Sequence, residues 1–273
     1  MELCLDSLTL TDTEPSELIR AAGLAGFDLV SVWVQPPPLY PQALLTPAKA
    51  SACVAALDEA GLRVGALEAF DLASEEAVES YSAALELGAQ LGARTASAIN
   101  MSNRDAALTS DLLARFAELA RGYGLGVTIE PLAGFATSTL AQARGMIRSA
   151  GVEAGIVFDI CHLIREGGCV ADIAAVEPDL LWHVQLCDGV ASLTPEEARI
   201  ESWQERLYPG YGAFPLVEAF RTVPTDISWG IEAPSRERAL RGVTPEDQAH
   251  EAIAAMRRVV DRILHADITS TMP

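Results

Sequence analysis

The sequence predicts an α/β fold in which eight parallel strands close into a single (β/α)8 barrel over residues 1–273. Three observations support this prediction. Eight short apolar segments alternate with longer segments of helical spacing, as expected for parallel strands joined by crossover helices. Eight such units in 273 residues suit a closed barrel of ~250 residues. No Gly-x-Gly-x-x-Gly motif follows the first strand, which argues against an open, doubly wound sheet.

The first four units are recognised by their apolar strand segments, of which strand two is rich in β-branched residues, and by helix-capping signals. Residues 2–10 form the first strand, and the segment TDTEPSE caps a helix that ends near Gly26. Strand two covers 28–34, and a Pro-rich loop, QPPPLYP, leads to a helix over 47–61. Strand three covers 63–70. An amphipathic helix over 74–92 begins with acidic residues and precedes strand four at 93–100.

The second half of the chain repeats this alternation with one exception. The remaining strands are expected at 126–131, 154–160, 180–188 and 226–234. Helices are expected at 105–123, 138–150, from residue 161 onwards, at 216–221 and at 245–265, followed by a frayed tail at 265–273. The exception is a polar segment at 189–214, which is too long for a simple turn. Long loops after barrel strands usually carry function.

Composition limits the classes of partner and compartment. A net charge of −19 disfavours nucleic acids and anionic membranes as partners. No apolar run is long enough to span a bilayer, and the N-terminus lacks the features of a signal peptide. The five cysteines are scattered and form no Cys-x-x-Cys pair, which indicates reduced thiols. We therefore expect a cytoplasmic protein that acts on a small molecule.

Oxygen-bearing side chains mark four successive predicted strands. Glu130 ends strand five, Asp159 ends strand six, Gln185 lies on strand seven, and Glu232 ends strand eight. The carboxyl ends of barrel strands form the active face, so these side chains should converge. Mg²⁺ and Mn²⁺ prefer such oxygen ligands. The four residues therefore predict one divalent metal ion, with the glutamine as a ligand that adds no charge.

Further polar residues lie near the same predicted rim. His162 follows the strand-six aspartate by three residues, and strands three and four offer Glu68 and Asn100 at similar depths. These three are candidate substrate ligands. His183 should face the barrel interior one layer below the strand-seven glutamine, because alternate residues of a strand face the same way. It is therefore better placed to brace the site than to bind the ion, and we count it among the candidate substrate ligands. Asp188 is expected to order the loop that follows it.

Five segments carry a resemblance to a known family: TIEP, FDICH, HVQLCDG, RLYPGYGAFPL and WGIEAPS. With them the chain resembles the xylose isomerase-like TIM-barrel superfamily, the sugar phosphate isomerase/epimerase group, over nearly its whole length. The resemblance implies that Glu130, Asp159, the strand-seven residue and Glu232 bind a divalent metal. It also implies that His162 touches substrate. Many relatives have a histidine ligand on strand seven, but the hydroxypyruvate isomerase-like branch has a glutamine, which favours Gln185 here.

The long loop departs from the family pattern. Relatives often have Arg-x-x-Pro-Gly-Glu-Gly where this chain has Arg206 to Gly212, with Tyr211 in place of the acid. The resemblance predicts that this loop folds over the mouth of the barrel and that Arg206 reaches a substrate oxygen. An aromatic residue in this lid suggests a substrate that is less polar than a free sugar.

The implied activity is a metal-dependent isomerase or epimerase of a sugar or related hydroxy-carbonyl compound. Glu130 and Glu232 would remove and return a proton, with an enediolate stabilised by Mn²⁺ or Mg²⁺. The same apparatus suits a dehydratase resembling dehydroshikimate dehydratase, or a lyase that cleaves C-glycosides. A non-catalytic ligand-binding barrel is a further alternative. Few histidines and the negative charge disfavour an endonuclease IV-like repair enzyme. Outer helices of such barrels often pair, which suggests a homodimer.

Overall fold

The computed structural model describes residues 1–35 and 39–265. It confirms the predicted fold class: eight parallel strands close in chain order into a barrel, and the last strand pairs with the first. The strands are β1 (Glu2–Leu5), β2 (Leu29–Trp33), β3 (Arg63–Asp71), β4 (Thr95–Ile99), β5 (Gly126–Ile129), β6 (Gly155–Asp159), β7 (Leu181–Leu186) and β8 (Ser228–Ile231).

Helices surround the barrel and connect its strands. No described helix has the length and apolar character needed to cross a bilayer. Their bounds are α1 (Pro15–Ala25), α2 (Pro47–Ala60), α3 (Glu75–Ser80), α4 (Ser82–Gln90), α5 (Ala106–Gly122), α6 (Leu140–Ala150), α7 (Ile160–Arg165), α8 (Val170–Ala174), α9 (Pro195–Gln204), α10 (Leu216–Phe220), α11 (Arg236–Leu240) and α12 (Pro245–His265).

Several elements differ from the sequence prediction. The first strand ends at Leu5 rather than at residue 10, because a 3-10 turn over Ser7–Thr9 follows it. The helix predicted over 74–92 is divided at Tyr81 into α3 and α4. The segment 189–214 is not only loop, because it contains α9. The predicted tail beyond residue 265 and residues 36–38 of the predicted Pro-rich loop lie outside the described residues.

The hydrophobic core lies between the strands and the helices. Phe70 contacts Phe116 with ring centroids 5.0 Å apart, and Phe220 contacts both Phe158 and Trp229 at 5.1 and 5.4 Å. The inward faces of the strands are more polar. Strand alternation turns side chains such as Ser31, Ser97, Thr128, His183 and Gln185 into the barrel, where they are buried. Polar chemistry is therefore concentrated along the barrel axis.

Candidate active site

The carboxyl ends of β5 to β8 bring the four predicted metal ligands together. Glu130 directly follows β5, Asp159 ends β6, and Glu232 directly follows β8. In the sheet register Asp159 lies beside Gln185, and Gln185 lies beside Gly230, two residues before Glu232. All four predicted ligands are buried. Parallel pairing thus converts four positions that are distant in the chain into one cluster at the rim of the barrel.

Arg206 lies at the centre of this cluster. Its Nη1 donates to Asp159 Oδ2 at 2.7 Å and contacts Glu232 Oε2 at 2.9 Å. The same nitrogen donates to the Glu232 carbonyl at 3.1 Å, and Nε donates to the Ser202 carbonyl at 3.0 Å. The side chain is fully buried within this cluster. Contact between Arg206 and substrate stays a prediction, supported by its place in the wall of a small cavity that Glu130, His162 and Glu232 also line.

Gln185 carries the feature that best fits a metal ion. Its Nε2 donates to Glu232 Oε1 at 3.3 Å. Its Oε1 is buried and has no hydrogen-bond partner. A buried carbonyl oxygen without a partner costs roughly 1–3 kcal/mol. A cation bound among the carboxylates would satisfy this oxygen, which is the role predicted for Gln185 from the sequence.

His162 faces two of the carboxylates as a neutral ring. Its Nδ1 accepts a hydrogen bond from the Ala133 amide at 3.3 Å. Its Nε2 lies 3.7 Å from Glu130 Oε1 and 3.6 Å from Asp159 Oδ2. Burial lowers the pKa of His162 to about 4, although the charge of Asp159 opposes this shift. At neutral pH the ring proton therefore sits on Nε2 and points towards the acids.

The carboxylates differ in their electrostatics. Burial and the charge of Asp159 raise the pKa of Glu130 well above its usual range. Burial and neighbouring acids also raise the pKa of Glu232, although Arg206 opposes them. Asp159 is the exception: burial works against ionisation there too, but Arg206 and then His162 lower its pKa. One arginine thus faces three buried acids, and the donor set suits an additional hard divalent cation.

Glu68 lies in the wall of the same cavity, on β3. Its Oε2 accepts a hydrogen bond from Ser7 Oγ at 3.1 Å. Burial and then the charge of Asp6 raise the pKa of Glu68 to about 7. This carboxyl group can therefore exist in either protonation state near neutral pH, which suits a group that binds a substrate hydroxyl.

Two other predicted substrate ligands do not line this cavity. The amide of Asn100 is bonded within its own loop and to the loop after β5: Nδ2 donates to the Asn103 carbonyl at 2.8 Å and to Thr137 Oγ1 at 2.9 Å. His183 lies deeper in the barrel, as the strand alternation predicted. Its Nε2 lies 3.2 Å from Asp6 Oδ1, and its Nδ1 lies 2.7 Å from Ser228 Oγ.

Asp188 orders the segment after β7, which confirms the role predicted for it. Its Oδ1 accepts hydrogen bonds from the amides of Gly189 and Phe214, both at 2.9 Å. Its Oδ2 accepts from the Gly210 amide at 3.0 Å. One carboxylate thereby fixes both ends of the segment that contains α9.

Aromatic side chains cover the mouth of the barrel. Trp203, near the end of α9, packs on a cluster of Leu8, Trp33, Tyr40 and Ala43, and the Tyr40 hydroxyl donates to the Trp203 carbonyl at 3.0 Å. The cavity beneath them has a volume of only about 30 Å³.

The helix α9 begins with a capping box formed by Thr194 and Glu197. The sequence TPEE carries that signal, although our sequence analysis missed it.

Tyr211 does not belong to this cover. The side chain is 66% exposed, its hydroxyl accepts from Arg258 Nη2 at 3.0 Å, and its ring lies under the same guanidinium. Arg258 is part of α12, on the outside of the barrel. The prediction that Tyr211 contributes to a lid is therefore wrong. The apolar character of the mouth comes from Trp203 and Trp33 instead.

Comparison with solved structures shows a shared fold at low sequence identity. The IolI protein with a bound zinc atom matches with a TM-score of 0.79 and 17% identity, over 96% of this chain and 99% of that chain. D-psicose 3-epimerase with D-tagatose from Clostridium cellulolyticum H10 matches with a TM-score of 0.73 and 14% identity, over 96% and 99%. A fusion of a xylose isomerase-like TIM barrel with 4-hydroxyphenylpyruvate dioxygenase gives 0.84 and 18%, over 100% of this chain and 45% of the fusion.

Sequence comparison assigns the family. Among curated proteins, no sequence matches this chain. The family model for the xylose isomerase-like TIM barrel matches residues 19–259, which include each of the predicted metal ligands. The eight-stranded barrel and the acids at its rim agree with that match. The chain therefore belongs to the xylose isomerase-like TIM barrel family.

Proposed function

We propose that this chain is a divalent-metal-dependent isomerase or epimerase of a sugar or related hydroxy-carbonyl compound. The observation that carries the proposal is the buried Gln185 Oε1, which has no protein partner and lies beside the carboxylates of the rim. Two structural neighbours support the reaction class, because one is named a D-psicose 3-epimerase and another an L-ribulose 3-epimerase.

The metal would be held by Glu130, Asp159, Gln185 and Glu232. Oxygen ligands of this kind favour Mg²⁺ or Mn²⁺, and the zinc in the IolI structure shows that a barrel of this fold also accepts a softer ion. When bound, the ion supplies a Lewis acid that polarises a substrate carbonyl and stabilises negative charge on its oxygen.

Proton transfer would fall to the two glutamates of the rim, because both are buried and line the cavity. Glu130, in its ionised form, would take the proton from the carbon beside the carbonyl, and Glu232 would return one. Arg206 stabilises the ionised state of Glu232 through the 2.9 Å contact. His162, neutral at pH 7, presents its Nε2 proton to a substrate oxygen, and Glu68 accepts a hydrogen bond from a second hydroxyl.

The cover must move before a substrate can enter. A cavity of about 30 Å³ has room for one or two water molecules. Within this cover, Trp203 lies near the C-terminal end of the short helix α9, and the capping box at Thr194 lies at the N-terminal end. Displacement of α9 would open the cavity, and its return would exclude water from the reacting atoms.

A dehydratase or lyase is the second candidate function, and the walls of the cavity favour it. The cavity wall has apolar surface beside the acids, formed by Leu8, Trp33, Ile99, Leu132 and Trp203. A substrate with a hydrocarbon or ring face would pack there better than a fully hydroxylated chain. The same glutamate that removes a proton could then start the loss of a β-hydroxyl group.

Solvent-proton exchange tests the proposal without a known substrate. The chelator-treated protein is reloaded with Mn²⁺ or Mg²⁺ and incubated in D₂O with a panel of ketoses, cyclic polyhydroxy ketones and hydroxylated ring acids. Isomerisation or epimerisation gives an isomer of the substrate that differs in mass only by the deuterium taken up. Elimination gives a product that has lost one water molecule. Divalent metal should be required in both cases.

Glu232→Gln is the decisive variant, and Glu218→Gln on the exposed face of α10 is its matched control. Loss of a general acid–base group should reduce exchange by about 10²–10⁴-fold. Near wild-type turnover of Glu232→Gln with metal bound would refute the two-glutamate scheme. Purified protein with no divalent-metal affinity would instead support a non-catalytic binding barrel.

A further inference from the structure

A second cluster of ligand-type side chains lies inside the barrel, below the rim. Cys4 belongs to β1, Asp6 follows β1, and His183 lies on β7. All three are buried, and their ligand atoms lie within 4.8 Å of one another. Cys4 and Asp6 face the interior together because alternate strand residues share a face. None of the three belongs to the proposed reaction at the rim.

Two of the three ligand-to-ligand separations in this cluster match the edges of a tetrahedral metal site. Asp6 Oδ1 lies 3.5 Å from Cys4 Sγ and 3.2 Å from His183 Nε2. Zinc binds thiolate sulfur at about 2.3 Å and imidazole nitrogen or carboxylate oxygen at about 2.0–2.1 Å, so tetrahedral S···O and N···O edges are about 3.5 and 3.3 Å. The Sγ–Oδ1 separation of 3.5 Å and the Nε2–Oδ1 separation of 3.2 Å agree with these two edge lengths.

His183 has the second hydrogen bond that a ligating histidine needs. Its Nδ1 lies 2.7 Å from Ser228 Oγ. The Ser228 hydroxyl proton is directed to the Trp182 carbonyl at 3.4 Å, so Oγ accepts from Nδ1–H. The other ring nitrogen, Nε2, is thereby the one that faces Asp6. Metal-bound histidines are oriented in this way by a partner on the second ring nitrogen.

Gly230 provides the space that this arrangement occupies. A Cβ at Gly230 would lie 2.0 Å from Asp6 Oδ2 and 2.7 Å from His183 Nε2. Any side chain at this β8 position would push the carboxylate and the imidazole apart. Strand β8 therefore accommodates the pair only because it has a glycine at this register position.

A separate cavity borders two of the three residues. It has a volume of about 250 Å³ at the amino-terminal end of the barrel, and Cys4 and His183 are part of its wall. Thr128 also lines it, and the Thr128 hydroxyl is buried without a hydrogen-bond partner. A water molecule bound to a cation in this cavity could donate to that hydroxyl oxygen.

We propose that Cys4, Asp6 and His183 form a second metal site, selective for a borderline-soft divalent cation such as Zn²⁺ and open to the lower cavity. This site is independent of the reaction proposed at the rim. Its thiolate and imidazole ligands distinguish it from the rim, where oxygen ligands favour harder ions. Binding releases the thiol proton, and also the Nε2 proton when His183 is charged, so affinity rises with pH.

Cobalt provides the test, because Co²⁺ bound to a thiolate shows a near-ultraviolet charge-transfer band that all-oxygen ligands do not give. Chelator-stripped protein is titrated with Co²⁺ in a Cys169→Ser background, since Cys169 is the exposed cysteine among the described residues. We expect the band to appear in the parent and to vanish when Zn²⁺ displaces the cobalt.

Cys4→Ser should abolish the band and reduce the number of bound zinc ions by one per chain. Cys53→Ser, which changes another buried cysteine, should retain both signals, and Asp159→Asn at the rim should retain the charge-transfer band. Circular dichroism checks that each variant folds. Absence of the band in the folded parent, or its survival in Cys4→Ser, would overturn the proposal and leave only an ion pair between Asp6 and His183.

Discussion

Glu68 offers a direct test of the electrostatics along the barrel axis. The carboxyl group is buried and faces the charge of Asp6, and its pKa rises from 4.5 to about 7. Each tenfold change in proton affinity corresponds to about 1.4 kcal/mol, so folding disfavours the ionised form by about 3 kcal/mol. Glu68→Gln removes the titration but keeps a side chain of the same size, with an oxygen that can still accept from Ser7.

The sign follows from proton linkage. Because the pKa of Glu68 is higher in the folded state, the folded protein holds this proton more tightly than the unfolded chain does. The contribution to stability is complete below about pH 4.5 and is lost as the pH rises through 7. Between pH 4.5 and 8 the free energy of unfolding of Glu68→Gln should therefore rise by about 3 kcal/mol relative to the wild type.

Urea unfolding at a series of pH values, in the presence of chelator, measures this difference. His162 titrates over a similar range in the opposite direction: its pKa falls from 6.5 to about 4, so its contribution is lost as the pH falls through that interval. This effect is common to both proteins and cancels in the comparison. Glu86→Gln, an exposed position on α4, is the control. Parallel stability curves for the wild type and Glu68→Gln would refute the reasoning.

Three further changes test the rim and the packing around the barrel. Arg206→Met leaves Asp159 and Glu232 without their counter-charge and should cost about 3–5 kcal/mol in chelator; Mn²⁺ should restore part of this loss in thermal melts. Gln185→Leu removes the buried oxygen without a partner, and calorimetry should show at least about tenfold weaker Mn²⁺ binding with the fold intact. Gly155→Ala places a Cβ 2.1 Å from an indole carbon of the neighbouring strand and should lower stability by about 1–3 kcal/mol in denaturant titration.

Local patterns predict the barrel well because each strand and helix shows its own periodicity. The same logic places Glu130, Asp159 and Glu232 at one rim, since the carboxyl ends of parallel strands must meet there. The helix α9 was missed because the polarity of 189–214 suggested a loop, although the capping sequence at Thr194 marks its start. A helix of low amphipathicity gives no periodic signal, so its caps are the only local evidence.

Contacts between distant parts of the chain could not be predicted in this way. Arg206 is separated from Asp159 by 47 residues, and His183 from Asp6 by 177. Sequence reasoning placed Arg206 in the loop over the mouth of the barrel and expected it to reach a substrate oxygen, because no neighbouring residue in the sequence indicates its partners. The structure buries it because two acids and two carbonyl oxygens accept its hydrogen bonds. Only the tertiary fold shows that such partners are present.

The charges around position 185 explain why a neutral glutamine, and not a carboxylate, would be the fourth ligand on β7. With a divalent cation bound, Arg206 and the ion together carry three positive charges, and Glu130, Asp159 and Glu232 carry three negative charges when ionised. His162 adds no charge at neutral pH, because burial lowers its pKa to about 4. A fourth carboxylate at position 185 would leave one buried charge without compensation. If the proposed cation binds here, a neutral oxygen ligand balances the charge at this position, and Gln185 would supply it because its amide nitrogen is bonded to Glu232 and its buried oxygen has no hydrogen-bond partner.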